Sequence, residues 1–385
     1  MRTIHGDIVT PGGIIENGTL VIDDMGRIAE IGANLAPRPR AEDIDAGGHW
    51  VLPGFIDLHV HGGGGADFMH GTPEAARTIA RTHARFGTTA LLATTITASR
   101  EATDAAIVAA RTVMQSAQDD ECRLLGIHLE GPYICAARKG AQPGVYVRPP
   151  DGEELAHWLR LSGGTVRQIT LAPELEGAEP LVRAARAAGV VVSVGHTDAT
   201  AQQTLDAISW GAGQATHTFN AMRGLHHREP GTVGAVLARP ELVAEVIADG
   251  AHLDPLIVRL IFAAKGPDGA VLITDAMEGA AMPDGEYALG GTAVTVKGGT
   301  ASFADGTLAG SVLTMNRAFM NARRFADLTP WQASRYASAN AARQLGILDD
   351  VGTLELGKRA DIAVINPETG EVAYTLIAGH IAYQR

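Results

Sequence analysis

The chain has 385 residues, 46% of them hydrophobic, and a formal net charge of −12. That length is sufficient for a barrel with a smaller second unit. The negative balance, without any run of five like charges, argues against nucleic acid or an anionic membrane surface as a general partner.

Residues 1–50 read as short β segments, RTIHGDIVTP and GTLVIDDMGRIAEIG, punctuated by Asp-Asp-Met-Gly and Gly-Gly turns. Met1 to Ala33 carries no apolar core of a signal peptide. Between residues 51 and 345, strand-like and helix-like segments alternate. Strands are expected at 51–61, 87–96, 124–131, 168–174, 190–196, 213–221, 243–251 and 270–277. Helical periodicity is expected at 74–86, 101–118, 152–162, 178–189, 200–211, 254–264, 311–324 and 331–345. Eight strands in such an alternation favour a closed parallel (β/α)8 barrel over an open sheet. A Gly-rich stretch at 284–308 reads as a hairpin insertion, and 346–385 repeats the β texture of the amino end. Neither end can bury a good core alone. The expected architecture is therefore an α/β TIM-like barrel over 51–345, with one small β-sandwich built from 1–50 and 346–385. No stretch of about 18 apolar residues suggests a membrane span. The two cysteines, Cys122 and Cys135, are too few for a disulfide framework, so a cytoplasmic protein is expected.

Imidazole and carboxylate side chains fall at or near the carboxyl ends of five of these strands, where a barrel builds its site. His59 and His61 are two apart on a strand and share a face, so both can reach one ion. They serve equally as ordinary polar residues at a strand end. Glu130, in His-Leu-Glu-Gly-Pro, offers an anionic ligand or a salt-bridged carboxylate; His128 beside it reads as a packing residue. His196 and His217 each close an apolar run, and each alone would pass as a satisfied core histidine. Asp275 follows Val-Leu-Ile-Thr, where a carboxylate is costly unless paired. It suits a general base and acid, or else a helix cap or ion pair. Taken together, in strand order, the six form a divalent-metal site with a spare acid/base. The segment 131–144 reads as a mobile loop able to close over substrate, and His226-His227-Arg228 as a small basic cluster able to bind an anion or simply solvated.

These segments resemble the N-acetylglucosamine-6-phosphate deacetylase family of the amidohydrolase superfamily. The resemblance rests on PGFIDLHVHG (53–62), GIHLEGPY (126–133), GHTDA (195–199), THTFNAM (216–222), REPG (228–231), DGAHL (249–253), LITDAM (272–277), GTLAGS (306–311) and NAARQLGI with GTLELGKRADI (340–362). It implies metal-dependent deacetylation of N-acetylglucosamine 6-phosphate, with Glu130, His196 and His217 holding the ion and Asp275 moving the proton. It also implies that Asn220, Ala221 and His252 receive the sugar phosphate, and that Arg228 reaches the phosphate of a neighbouring subunit in a homodimer. Ala141, Gln142 and Met315 are taken as further substrate contacts. Some members lack the imidazoles of the first strand; His59 and His61 here make a second ion available, so one or two divalent ions per subunit are expected, zinc suiting the donors. Members often carry a histidine where this chain has Gln142, which can donate a neutral hydrogen bond but supplies no positive charge. The rival readings are a deacetylase of another N-acetyl amino sugar phosphate, or a different amidohydrolase. Cyclic amidases commonly use a carboxylated lysine, and no lysine takes a matching strand end here. A metal-free scaffold should have lost ligands that this chain keeps.

Overall fold

The computed structural model describes residues 1–33, 35 and 43–385. Eight parallel strands lie side by side in chain order: Phe55–Val60, Thr88–Thr95, Arg123–Glu130, Val166–Leu171, Val191–Val194, Gln214–Ala215, Val243–Ile247 and Ala270–Ile273. A parallel bridge from Val60 to Ala276 joins the last to the first, which makes the sheet a barrel. The strands are buried on both faces, which is why they read as continuous apolar runs and not as alternations.

A helix follows each strand: Pro73–Ala84, Arg100–Met114, Gly152–Leu161, Ala178–Ala187, Ala201–Trp210, Gly231–Ala238, Pro255–Lys265 and Met315–Ala326. Their starts are written in the sequence. Thr72 accepts from Ala75 N–H ahead of Pro73, Asp254 accepts from Leu256 N–H ahead of Pro255, and Thr200 and Gln203 cap each other reciprocally. Seven of the eight were expected; Gly231–Ala238 was not. The expected helix over 331–345 is three consecutive pieces, Pro330–Ser334, a wider turn Arg335–Ala339, and Asn340–Gln344. The expected strand over 213–221 shortens to Gln214–Ala215. The insertion is a three-stranded antiparallel sheet, Gly285–Leu289, Thr292–Lys297 and Thr300–Ser302, with its own core of Leu289, Val294, Val296 and Ala301 against Met277 and Ile96.

Both chain ends build one seven-stranded mixed sheet. Its order is His380–Gln384, Val372–Ile377, Ile362–Ile365, Ile44–Pro53, Arg2–Thr10, Gly13–Ile22 and Ile28–Gly32. Strand alternation divides its side chains between two cores. Ile362 and Val364 join Ile4, Ile8, Leu20 and Val51 within the sheet's own cluster, while Ala363 and Ile365 join Val9 and Leu52 in the barrel's. The junction is tight: Gly54 N–H donates to Asp361 O at 2.8 Å, and Ser338 Oγ donates to Gly54 O at 2.6 Å.

A methyl group on Gly54 would lie 2.3 Å from Thr89 Cγ2, inside the buried barrel wall, whereas one on Gly152 would meet nothing within 4 Å. Overpacking costs about 1–3 kcal/mol. Gly54→Ala should therefore lower the urea midpoint clearly, and Gly152→Ala should leave it equal or slightly raised. Equal midpoints for the two variants would show that the junction yields.

Candidate metal centre and substrate cavity

The six expected side chains converge at the carboxyl ends of the strands. Two groups form, His59–His61–Asp275 and Glu130–His196–His217, each with its ligand atoms within 4.8 Å of one another. Glu130 stands between them. Its Oε1 lies 3.1 Å from both His196 Nε2 and His217 Nε2 and 3.4 Å from His59 Nε2, while its Oε2 lies 3.2 Å from His61 Nε2. Asp275 Oδ1 lies 3.3 Å from His61 Nε2 and 3.5 Å from His59 Nε2.

Local backbone makes this convergence. His59 and His61 leave one face of the first strand together, their Nε2 atoms 3.2 Å apart. His196, His217 and Asp275 each sit just past a strand in the left-handed region, with φ of 47°, 29° and 51°. Such backbone costs of order 1–3 kcal/mol per non-glycine residue, so neighbours must hold it. Asp275 N–H donates to His59 O at 2.9 Å, and Ser311 N–H donates to Asp275 O at 2.7 Å. His217 N–H donates to the Glu245 carboxylate at 3.2 Å. Asp57 ties the same corner, accepting from the Thr274 hydroxyl at 2.6 Å; burial pushes its carboxyl up to about 7 against those hydrogen bonds.

The residues fit a divalent cation. His196 Nδ1 donates to Arg138 O at 3.0 Å and His59 Nδ1 donates to Glu245 Oε2 at 3.1 Å, so both rings present an Nε2 lone pair to the centre. His196 and His217 Nε2 stand 3.1 Å apart, a distance that a shared cation reconciles. The carboxylates draw positive charge. Burial pushes the His61 imidazole down, yet the hydrogen bonds and charge of Asp275 and Glu130 outweigh it and lift His61 to about 9. Burial likewise opposes ionisation of Asp275, but the His59 and His61 imidazoles hold it at about 2. Glu130 is held well below the usual carboxylate range by the same balance, burial against the imidazoles of His59, His196 and His217.

A cavity of about 270 Å³ opens over the centre. It is lined by His61, Glu130, Gln142, His196, His217, Asn220, Ala221, His252 and Asp275, with Ala141, Ile96, Leu289, Thr307, Leu308 and Gly310 at its sides. His252 is favoured in its charged form: burial lowers it, and the hydrogen bond at 2.7 Å and charge of Asp249 more than compensate. Met315 is fully buried in the barrel core and does not line the cavity. Arg228 is exposed in the loop before Gly231, its Nη1 2.7 Å from His227 Nε2, and does not line it either. His128 packs edge-on to His59 at 4.7 Å, and burial keeps it neutral. Sequence reasoning missed Glu245, which also accepts from Gln168 Nε2 at 2.8 Å and Gln214 Nε2 at 2.5 Å. The one signal in the sequence was an acid inside an otherwise apolar strand, VAEVI, and the structure buries it completely.

The amidohydrolase family model matches residues 50–382. A Bacillus subtilis (strain 168) N-acetylglucosamine-6-phosphate deacetylase is 41% identical over 98% of this chain and 95% of its own length. An Escherichia coli O157:H7 N-acetylgalactosamine-6-phosphate deacetylase is 40% identical over 82% of this chain and 83% of its own. Among solved structures, a mutant N-acetyl-D-glucosamine-6-phosphate deacetylase from Mycobacterium smegmatis, in complex with N-acetyl-D-glucosamine-6-phosphate, superposes with a TM-score of 0.93 at 36% identity. That match covers 100% of this chain and 99% of the other.

Glu245→Gln keeps the volume but turns one amide end toward existing donors, either His59 Nδ1 or the two glutamines. Loss of such an outer carboxylate partner typically costs about 10–100-fold in metal affinity. Titration of the purified variant with Zn²⁺ should show that loss, and wild-type affinity would remove Glu245 from this role.

Proposed function

The chain belongs to the amidohydrolase family, and on that footing we propose that it hydrolyses the acetamide of N-acetylglucosamine 6-phosphate to glucosamine 6-phosphate and acetate. The observation that carries the reading is that Asp275 and the Glu130–His196–His217 group lie side by side, bridged by His59 and His61, and line one cavity of about 270 Å³. The near full-length similarity to relatives of that activity supports it. Acetate release from a panel of acetylated sugars and their 6-phosphates tests it directly.

Glu130, His196 and His217 would hold one divalent ion, and His59 and His61 with Asp275 or Glu130 a second; the nitrogen and carboxylate donors suit zinc. When bound, the ion supplies Lewis-acid polarisation of an acyl carbonyl and acidifies water to a pKa of about 7. Asp275 starts ionised and accepts the proton of the attacking water, whose oxygen adds to the acetamide carbon. The carbon–nitrogen bond then breaks, and Asp275 returns the proton to the departing amine nitrogen. His252, shifted toward its charged form by Asp249 and lining the cavity with Asn220 and Ala221, is placed to attract the phosphate dianion. Arg228, exposed and outside its own cavity, fits a contribution to the neighbouring site of a homodimer. The free cysteines Cys122 and Cys135 suit a reducing cytoplasm.

A second reading is deacetylation of the galactosamine epimer, favoured by two relatives of that name at 40% and 33% identity. The ratio of kcat/KM for the two epimeric 6-phosphates decides between them.

Asp275→Asn keeps the shape but moves no proton, so kcat should fall about 10²-fold or more while substrate still binds. Turnover near wild type would exclude Asp275 as the proton carrier. If Arg228 acts across an interface, Arg228→Ala should raise KM for the phosphorylated sugar far more than for N-acetylglucosamine. Mixing Arg228→Ala with Asp275→Asn subunits should then recover activity, because one site of the mixed dimer keeps both groups. Mixed dimers that form without recovery would assign Arg228 to its own subunit or to none.

A further inference from the structure

The loop after Glu130 is tied to the ion ligands themselves. It runs from Gly131 to Arg148, with two short turns at Ala136–Arg138 and Gly144–Tyr146. Within it Gln142 is 3% exposed, and both ends of its amide are engaged. Thr97 N–H is an obligate donor and lies 2.7 Å from Gln142 Oε1, which fixes the amide orientation. Gln142 Nε2 therefore faces Glu130 and donates to Oε2 at 2.5 Å. A hydrogen bond to a carboxylate is among the stronger neutral-to-charged contacts. It occupies the oxygen of Glu130 that faces His61, and leaves Oε1 to His196 and His217. Two further bonds join the same loop to His196: Arg138 O accepts from Nδ1 at 3.0 Å, and Cys135 N–H donates to His196 O at 2.8 Å.

We propose that Gln142 is a positioning residue that holds Glu130 in its ion-binding orientation, and that through Gln142 and the Arg138 carbonyl the bound ion orders the loop over the cavity. The inference rests on the metal centre proposed above. The physical reason is reciprocity: if the ordered loop favours the ion, the ion favours the ordered loop by the same factor. A loop that lost its hold on Glu130 and His196 would free both ligands to rotate, and a freed ligand pair binds an ion less well. Thr97 completes the chain of contacts, since its backbone lies just past the second barrel strand and is part of the rigid wall.

Chelator competition with Zn²⁺ on purified wild type, Gln142→Leu and Gln142→His tests the assignment. Leucine removes both hydrogen bonds at similar volume, and Zn²⁺ affinity should fall about 10–100-fold. Histidine keeps one acceptor and one donor at similar spacing and should recover most of that loss. The Zn²⁺ concentration needed for half-maximal acetate release should shift by the same factor. On wild type alone, amide exchange across residues 135–147 should rise when the ion is stripped, with the barrel strands unchanged. Unaltered Zn²⁺ affinity in Gln142→Leu, with a turnover loss that no Zn²⁺ concentration reduces, would place Gln142 against the substrate and overturn the proposal. So would loop exchange indifferent to the ion. A wild type that binds no Zn²⁺ would instead sink the metal centre itself, which separates the two failures.

Discussion

The buried carboxylate of Glu130 is the interaction on which the site depends. It is 2% exposed and lies within 3.4 Å of an imidazole nitrogen from four different histidines. An isolated carboxylate in that position would be prohibitively costly to ionise. The four imidazoles reverse the balance, and each is oriented in turn by something behind it or packed in place. His59 is held by Glu245 and His196 by the Arg138 carbonyl, so the charge at the centre is fixed by two layers of partners. Glu245 is itself held by two glutamine amides and by the His217 backbone, so its negative charge is spread over donors from two other strand segments, Gln168 on one and Gln214 with His217 on the other. A cation completes such a set: carboxylate and imidazole donors converge, and His59 and His196 present Nε2 lone pairs to the centre.

That concentration of charge is supported by strain on the backbone. His196, His217 and Asp275 turn left-handed where the chain leaves the strand, and Phe219 and Ala221 do so in the turn that follows His217. The rest of the barrel meets the cost. The opposite end of the barrel is sealed by the terminal sheet, where Gly54, Ala363 and Asp361 join barrel and sheet and Arg123 pairs with Asp361. One end of the barrel thus carries packing and the other carries chemistry, the division expected of this architecture.

Much of this was legible in the residues. Eight apolar runs separated by capped helices specify a barrel, and acid or imidazole residues at their ends specify where it works. What escaped had physical reasons. The segment 213–221 is apolar and threonine-rich, so it reads as a strand; the ladder stops at Ala215 because the next residues turn to aim His217. Gly231–Ala238 opens with glycine and threonine and is buried on most sides, so it lacks the amphipathic period that marks a surface helix. Glu245 and Asp57 look like ordinary charged residues within strands. Only the barrel, by turning alternate positions inward, gives them a common target.

Gln142 shows a different limit. In one dimension it is a polar residue in a glycine-rich loop, and the natural inference is contact with substrate. In three dimensions its amide spans a backbone donor on one strand end and a carboxylate on the next. The loop is long enough to reach either the ligand or the metal centre, and its composition is the same in both cases. The difference lies in Thr97, whose buried N–H donates to the Gln142 amide oxygen. Satisfying that donor forces the amide nitrogen toward Glu130. A loop that appears built only to cover substrate is in this way tied to the group that makes the chemistry possible, so closure over the cavity and the geometry of the ion ligands are set by the same few hydrogen bonds.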